Sequence, residues 1–216
     1  QIFWEFKKGR SINDISSYRE STRKTRDFCK KENIEYKIWS YDDCIDILQK
    51  YPQYENLWND FTQPIMKVDF ARYLILFDQG GIYVDCDIHP IRSMEYLFEK
   101  DIFFVRWFSE TKNKPYNAVV GSKANHPVYK DILQHCEDSF YAKFQMDGYQ
   151  NRPGRLVFQT TGHNMLRRVL KNYKDIPLLP IVSVINNSKN IMDFPDDYTA
   201  VFYDSNESLW YEGKHG

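Results

Sequence analysis

The sequence lacks any apolar run long enough to cross a bilayer. Its longest apolar stretches, Ile102–Val105 and Ile176–Ile185, fall well short of the roughly 20 residues that a membrane-spanning helix needs. We therefore expect no integral membrane segment.

The chain also lacks an excess of charge of either sign. It has 29 Lys and Arg against 30 Asp and Glu, and its formal net charge is -1. A nucleic acid or an anionic membrane as the main partner would favour a basic excess, so we expect neither. Apolar residues make up 42% of the 216 residues, which excludes disorder for most of the chain and suffices for one domain with a sizeable core.

Cysteine is scarce and widely spaced. The four cysteines, Cys29, Cys44, Cys86 and Cys136, form no C-x-x-C pair and no Cys/His cluster at zinc spacing. A chain of this size does not need disulfide bonds, so we expect free thiols in a reducing compartment. Linkers, repeats and low-complexity tracts are also lacking. Residues 1–216 are therefore expected to form a single domain, either alone or within a longer chain.

Alternating patterns along the chain predict an α/β domain. A strand over Ile2–Phe6, a helix over Ser11–Lys31 and a strand over Ile34–Trp39 suggest a βαβ unit with parallel pairing. The other predicted helices are Tyr41–Gln49, Tyr54–Phe61, Ile65–Asp78, Met94–Phe98, Val128–Phe144 and Thr160–Lys171. The other predicted strands are Ile82–Val84, Ile102–Phe108 and Val201–Tyr203, and Gly148–Arg155 is predicted to be a loop. We expect a mixed, mostly parallel central sheet flanked by helices.

Two carboxylates follow one of these strands directly. Three strand-forming residues lead into Asp85 and Asp87, which places both acids at the carboxyl end of the strand, where open α/β sheets bind ligands. Carboxylates one residue apart repel each other unless a cation lies near them. Mg²⁺ and Mn²⁺ take such oxygen ligands and are commonly shared with substrate phosphates. The alternative is a solvated strand end with a capping Asp.

A second charged pair precedes this strand. Asp69 and Arg72 lie three residues apart, hence on one face of an otherwise apolar helix. Arg72 offers a planar donor fork for phosphate or sugar oxygens, and Asp69 can accept from hydroxyls. Gly80-Gly81 permits a sharp reversal that brings the helix face over the strand end. The alternative is a surface ion pair worth under about 1 kcal/mol.

Together these residues resemble a known family. The run Asp69-x-x-Arg72-Tyr73, followed by Gly80-Gly81-Ile82-Tyr83-x-Asp85-x-Asp87, is similar to the sugar-binding region of D-x-D glycosyltransferases, above all glycosyltransferase family 32, with the clostridial glucosylating toxins as distant relatives. The resemblance implies the GT-A fold, a Rossmann-like nucleotide-sugar-binding domain. It also implies a nucleotide sugar bound through Mn²⁺ or Mg²⁺.

The resemblance implies roles for individual residues. Trp4 would stack on the nucleotide base, while Asp69, Arg72 and Tyr73 would bind and orient the sugar. Asp85 and Asp87 would hold the metal. With Arg72 they are the candidate catalytic residues.

The end of the chain supplies further candidates. Ser208-Leu209-Trp210 is similar to the Ser-x-Trp segment of the toxins, where Ser helps to bind the metal and Trp approaches the donor phosphates. Family 32 members often place a His before the terminal Ser-Trp, and here Asp204, Ser205 and Asn206 stand in that place. Asp204 and Ser208 are therefore the candidates for the third metal ligand.

These observations predict a metal-dependent glycosyltransferase. It would move a hexose or deoxyhexose from a nucleotide diphosphate sugar to a glycan or glycoprotein acceptor, with a UDP-sugar as the favoured donor and a GDP-sugar as the alternative. The resemblance implies retention of the anomeric configuration. One alternative is a carbohydrate-binding domain that has lost turnover. Another is a phosphatase in which the first Asp of D-x-D attacks phosphorus.

Composition also suggests a location. A glycan on the Asn206 sequon would crowd the predicted site, which together with free thiols favours the cytosol over a luminal compartment. A composition rich in Lys, Asn, Tyr and Ile suits a bacterial or large-virus protein.

Overall fold

The computed structural model describes residues 1–2, 16–107, 114–150, 152–179, 182–184 and 202–204. Trp4, Ser208, Trp210 and the Asn206 sequon lie outside these residues, so the expectations placed on them stay predictions. Within the described ranges, no helix is both long enough and apolar enough to cross a bilayer.

Most predicted helices are confirmed in place. The helices of the described residues are α1 (Ser16–Lys31), α2 (Tyr41–Gln49), α3 (Glu55–Asp60), α4 (Pro64–Gln79), α5 (Glu95–Phe98), α6 (Val128–Phe144), α7 (Asp147–Gln150), α8 (Pro153–Thr160) and α9 (His163–Leu170). A short 3₁₀ turn, Pro52–Tyr54, precedes α3.

Local chemistry explains where two of these helices begin and end. A capping box starts α2, since the Ser40 side chain accepts from the Asp43 amide and the Asp43 carboxylate accepts from the Ser40 amide. Pro64 occupies the first turn of α4, where its missing N–H costs nothing. Gly80 ends α4 with a φ of 71° and Gly81 follows at 99°. This positive-φ pair sends the chain directly into the next strand.

The seven strands of the described residues are divided between two small sheets. They are β1 (Gly81–Val84), β2 (Ile88–Pro90), β3 (Ile102–Trp107), β4 (Lys114–Ser122), β5 (Leu178–Leu179), β6 (Val182–Val184) and β7 (Phe202–Asp204). One sheet has the order β1-β4-β3-β5 and the other β2-β7-β6. The expected mixed sheet flanked by helices is confirmed. Among the described strands, however, β1/β4, β3/β4 and β2/β7 are antiparallel and only β3/β5 and β6/β7 are parallel. The sheets are therefore not mostly parallel.

The expected βαβ unit is only partly confirmed, because Ile34–Trp39 is not a strand and only Trp39 within it forms a β-bridge. Ile2, which precedes α1, and Trp39, which follows it, form a parallel β-bridge. Over this stretch the remainder of the first predicted strand lies outside the described residues.

Two sequence-based expectations need correction. The segment Gly148–Arg155, expected to be a loop, contributes to α7 and α8, because Pro153 starts a helix rather than interrupting one. The helix expected over Thr160–Lys171 is split, since α8 ends at Thr160 and α9 starts at His163. Gly162 closes the junction, where its amide donates to Val157 O at 2.9 Å.

Helix α4 lies at the centre of the main hydrophobic core. Its residues from Val68 to Phe77 are all buried, and the same core takes side chains from α2, α6, α8 and α9. A smaller cluster around Val84, Ile88 and Phe202 packs where the two sheets approach each other. The four cysteines are buried and free, as predicted. The reducing compartment inferred from them stays a prediction.

Candidate functional site

The two acids of the D-x-D motif lie in a turn between the two sheets. Val84 ends β1 and Ile88 begins β2. The Ile88 amide closes the turn by donating to Asp85 O at 3.0 Å, and the Asp85 amide donates to Ala118 O at 2.8 Å. Asp85 and Asp87 are partly exposed, whereas Cys86 between them is buried. The turn therefore presents both carboxylates on its open side.

Arg72 connects helix α4 to this turn. Its Nη2 lies 3.1 Å from Asp69 Oδ1 and 3.3 Å from Asp85 Oδ1. Its Nη1 donates to Asn117 O at 2.6 Å, and the guanidinium carbon lies 4.6 Å from the centre of the Tyr83 ring. The helix face and the strand end thus meet, as the Gly80-Gly81 reversal predicts.

Asp69 is held from three directions within the described residues. Its Oδ1 forms an ion pair with Arg72 and accepts from Asn117 Nδ2 at 2.9 Å, and its Oδ2 accepts from Thr161 Oγ1 at 3.0 Å. Tyr73, the next candidate on α4, donates to Thr161 O at 2.8 Å. Asp69 and Arg72 are each only 3% exposed. The alternative of a surface ion pair is therefore wrong.

Burial dominates the electrostatics of this network. It raises the pKa of Asp69 to about 6, although Arg72 and the hydrogen bond from Thr161 act in the opposite direction. Burial alone would lower the pKa of Arg72, but the nearby Asp85, Tyr83 and Asp69 raise it above its usual value. Burial likewise raises the pKa of Tyr83. Its hydroxyl therefore stays protonated and donates to Asp85 Oδ1 at 2.7 Å.

The side chain of His89, two residues after the motif, is turned toward helix α1. It is buried, and its Nδ1 lies 3.2 Å from Ser21 Oγ. Burial is the main reason that its pKa falls to about 4. His89 is therefore neutral at pH 7.

Strand β7 runs beside the motif. Its Asp204 pairs with Ile88 in the antiparallel register of β2 and β7, which brings the Asp204 backbone next to the D-x-D turn. The Asp204 side chain is outside what the structure describes, as is Ser208. Among the described side chains, no group of three or more His, Cys, Asp or Glu could hold a metal ion. The described ligand candidates are the two carboxylates of the turn.

Three members of the network were not predicted as site residues. Tyr83 had a usable signal, because side chains two apart on a strand share a face and Tyr83 thus lies on the Asp85 side. Asn117 and Thr161 reach Asp69 across 48 and 92 residues of sequence. No spacing within a single helix or strand links either of them to Asp69.

The chain is similar in sequence to known glycosyltransferases. Residues 19–104 match the family described as a glycosyltransferase sugar-binding region containing DXD motif. An uncharacterized glycosyltransferase of Acanthamoeba polyphaga mimivirus is 31% identical over 153 residues, which cover 68% of this chain and 60% of the relative. A mannosyl phosphorylinositol ceramide synthase of Saccharomyces cerevisiae is 30% identical over 144 residues, 64% of this chain and 35% of the relative. The chain thus spans less than two thirds of either protein.

A solved structure shares the fold. The PaToxG glycosyltransferase matches with a TM-score of 0.50 and 15% sequence identity, over 80% of this chain and 66% of that one. The expected GT-A fold is confirmed by this likeness. The matched residues 19–104 include Asp69, Arg72, Asp85 and Asp87, and the match confirms the predicted resemblance to glycosyltransferases that contain the D-x-D motif.

Proposed function

We propose that this chain transfers a sugar from a nucleotide diphosphate sugar to a glycan or glycoprotein acceptor, with a divalent cation bound at the Asp85–Asp87 turn. The observation that carries the proposal is the contrast in exposure within one cluster. Asp85 and Asp87 are partly open to solvent, while Asp69 and Arg72 behind them are almost completely buried. A network of ion pairs that only stabilised the fold would not require carboxylates at an edge that is open to solvent.

The donor set fits Mn²⁺ or Mg²⁺. Both carboxylates are hard oxygen ligands, and such ions commonly complete their coordination with water and substrate phosphates. Asp204 and Ser208 remain the proposed further ligands. A bound divalent ion would act as a Lewis acid that neutralises charge on the leaving nucleotide diphosphate.

The described residues would prepare the site for this chemistry. Arg72 restrains Asp85 through the 3.3 Å contact, and the Tyr83 hydroxyl restrains the same oxygen. One side of the Asp85 carboxylate is thus fixed before any ligand arrives, which reduces the ordering required on binding. Asp87 is the acid of the motif that we assign mainly to the metal.

Sugar binding is proposed for Asp69, Arg72 and Tyr73, with one structural condition. Both oxygens of Asp69 already accept a hydrogen bond, one from Asn117 and one from Thr161, and Arg72 forms an ion pair with the same carboxylate. A sugar hydroxyl that bonds to Asp69 would therefore have to replace or share one of these donors. Trp4 on the base, and Trp210 and Ser208 near the phosphates, complete the proposed site. Closure of the C-terminal segment over the donor would exclude water.

The sugar itself is a finer proposal. The yeast relative is a mannosyl phosphorylinositol ceramide synthase, which favours mannose and puts GDP-mannose beside the UDP-linked donors that we expected. Retention of configuration is proposed from the family resemblance. If transfer instead inverts, a carboxylate or His must take the proton of the acceptor hydroxyl.

The test is release of nucleotide diphosphate from a panel of UDP- and GDP-sugars, with and without Mn²⁺. We expect metal-dependent turnover of one donor, abolished by Asp87→Asn and kept by the control Asp46→Asn on an exposed face of α2. The anomeric configuration of the product, read by NMR, tests retention. Nucleotide binding without turnover, even with glycan acceptors added, would indicate a binding domain. Release of inorganic phosphate from sugar phosphates would indicate a phosphatase.

A further inference from the structure

The backbone of the D-x-D turn is bound by the side chain of Gln1, which is distant from the turn in sequence. Gln1 Nε2 lies 3.1 Å from Asp85 O and 3.2 Å from Ile88 O, the two carbonyls that flank the turn. An amide nitrogen carries two N–H donors. A single Gln1 side chain, 7% exposed, therefore binds both ends of the turn at once.

The Gln1 side chain is itself fixed. Its Oε1 accepts a hydrogen bond from the Tyr36 hydroxyl, which settles that the nitrogen faces the turn. Its main chain is bound to Trp39, since the Trp39 amide donates to Gln1 O at 2.8 Å. The neighbouring Ile2 carbonyl accepts from Cys86 Sγ at 3.2 Å. Residues 1 and 2 thus both contact the turn.

We propose that Gln1 is a positioning residue for the two carboxylates of the D-x-D motif. Asp85 and Asp87 repel each other, and the dihedral angles of the turn between them set how far apart their oxygens lie. By holding Asp85 O and Ile88 O, Gln1 limits the turn to one shape in the absence of any ligand. This restraint would keep the cation site formed before the metal binds, an inference that rests on the proposed function.

The turn is also supported from helix α1, so Gln1 can be replaced without removing every side-chain hydrogen bond to the turn. Two side chains of this helix bind the turn, since Ser21 Oγ donates to Asp87 O at 3.1 Å and Thr25 Oγ1 to Ile88 O at 3.5 Å. The turn therefore keeps these bonds when Gln1 loses its own. Gln1→Met retains the length of the side chain but removes both donors. Gln1→Glu replaces the amide nitrogen with a carboxylate oxygen, which would repel the two carbonyl oxygens.

Two measurements test the proposal on the full chain. The first is the affinity for Mn²⁺ in the presence of UDP or GDP, read from the free-Mn²⁺ signal in electron paramagnetic resonance. We expect Gln1→Met to weaken it about tenfold and Gln1→Glu more, since loss of residues that orient metal ligands typically costs 10- to 100-fold in affinity. The second is hydrogen exchange of the Ile88 amide in metal-free protein, which we expect to become faster.

A matched control separates positioning from general stability. Leu133→Ala in helix α6 removes a core side chain that is 1% exposed and lies outside the D-x-D turn. It should lower the melting temperature while leaving Mn²⁺ affinity and Ile88 exchange unchanged. Wild-type affinity and wild-type exchange in Gln1→Met would overturn the positioning role. A wild type that binds no Mn²⁺ with either nucleotide would instead overturn the proposed function.

Discussion

The guanidinium of Arg72 lies 3.3 Å from the carboxylate of Asp85, and this contact joins a helix of the hydrophobic core to the edge of the candidate site. Arg72 is buried, while the Asp85 side chain is 30% exposed. The same cation also pairs with Asp69. Changes in the core and in the site are therefore coupled through one side chain.

Replacement of Arg72 should affect stability and activity together. Arg72→Ala would leave Asp69 without its cation in a buried position, a loss that typically costs 3–5 kcal/mol, so the variant should fold poorly. Arg72→Lys keeps the charge, but one ammonium cannot span Asn117 O and both carboxylates. We expect Arg72→Lys to lose about 2 kcal/mol of unfolding free energy and most donor turnover. Wild-type turnover in this variant would contradict the role assigned to the planar fork.

Both acids of the motif should be required for turnover. Asp87→Asn should abolish metal-dependent turnover. Asp85→Asn should abolish turnover and also weaken folding by roughly 1–3 kcal/mol, because Arg72 and Tyr83 both bond to the Asp85 carboxylate. Urea denaturation beside the nucleotide-release assay checks both. Wild-type stability of Asp85→Asn would mean that the Arg72–Asp85 contact contributes nothing to folding.

The raised pKa of Asp69 predicts an unusual pH dependence. Its pKa is about 6 in the folded chain against a reference value of 3.8, so the folded state binds more protons between these pH values. The Asp69 contribution to stability should therefore fall as pH rises from about 4 to about 6, by about 1.4 kcal/mol per unit of pKa difference. Asp69→Asn lacks this titration.

The measurement is the difference in unfolding free energy between wild type and Asp69→Asn at several pH values. The difference is used because the buried His89, with its pKa lowered to about 4, titrates with the opposite sign in both proteins. A wild-type advantage that grows with pH would show that Arg72 lowers the folded pKa of Asp69 instead.

The helices and the motif strand could be predicted from sequence because their signals are local. The capping box of α2 and Pro64 at the start of α4 mark boundaries within a few residues. Strand β4 was not predicted, since Pro115, Asn117 and Gly121 are all poor strand formers. Its Gly121 is needed because a Cβ there would collide with the Phe103 ring, a contact visible only in the fold.

The network around Asp69 shows the same limit. The sequence identifies Asp69 and Arg72 as a pair on one helix face. Their burial depends on Asn117 and Thr161, which arrive from β4 and from the junction after α8. The register of β3 and β4 shifts between Phe104 and Val105, so residues near Asn117 leave the regular ladder. Neither the shift nor the contact has a sequence signature.

The two glycines before β1 should differ in their tolerance of a side chain. A Cβ on Gly80 would lie 2.6 Å from the Ala124 backbone nitrogen, whereas one on Gly81 would meet nothing within 4 Å. Both residues have positive φ, which costs an Ala on the order of 1 kcal/mol or more. Gly81→Ala should show this cost alone, and Gly80→Ala clearly more. Equal melting temperatures of the two variants would refute the steric difference.

The pairing of Ile88 with Asp204 has a consequence during protein synthesis. The strand that follows the D-x-D acids is made in the first half of the chain, and its neighbour is made near the end. A ribosome that has not yet passed residue 204 therefore carries a nascent chain with an exposed β2 edge. Such an edge is a template for wrong pairing with other chains. A nascent chain arrested before β7 should consequently aggregate or recruit chaperones more readily than one arrested after it.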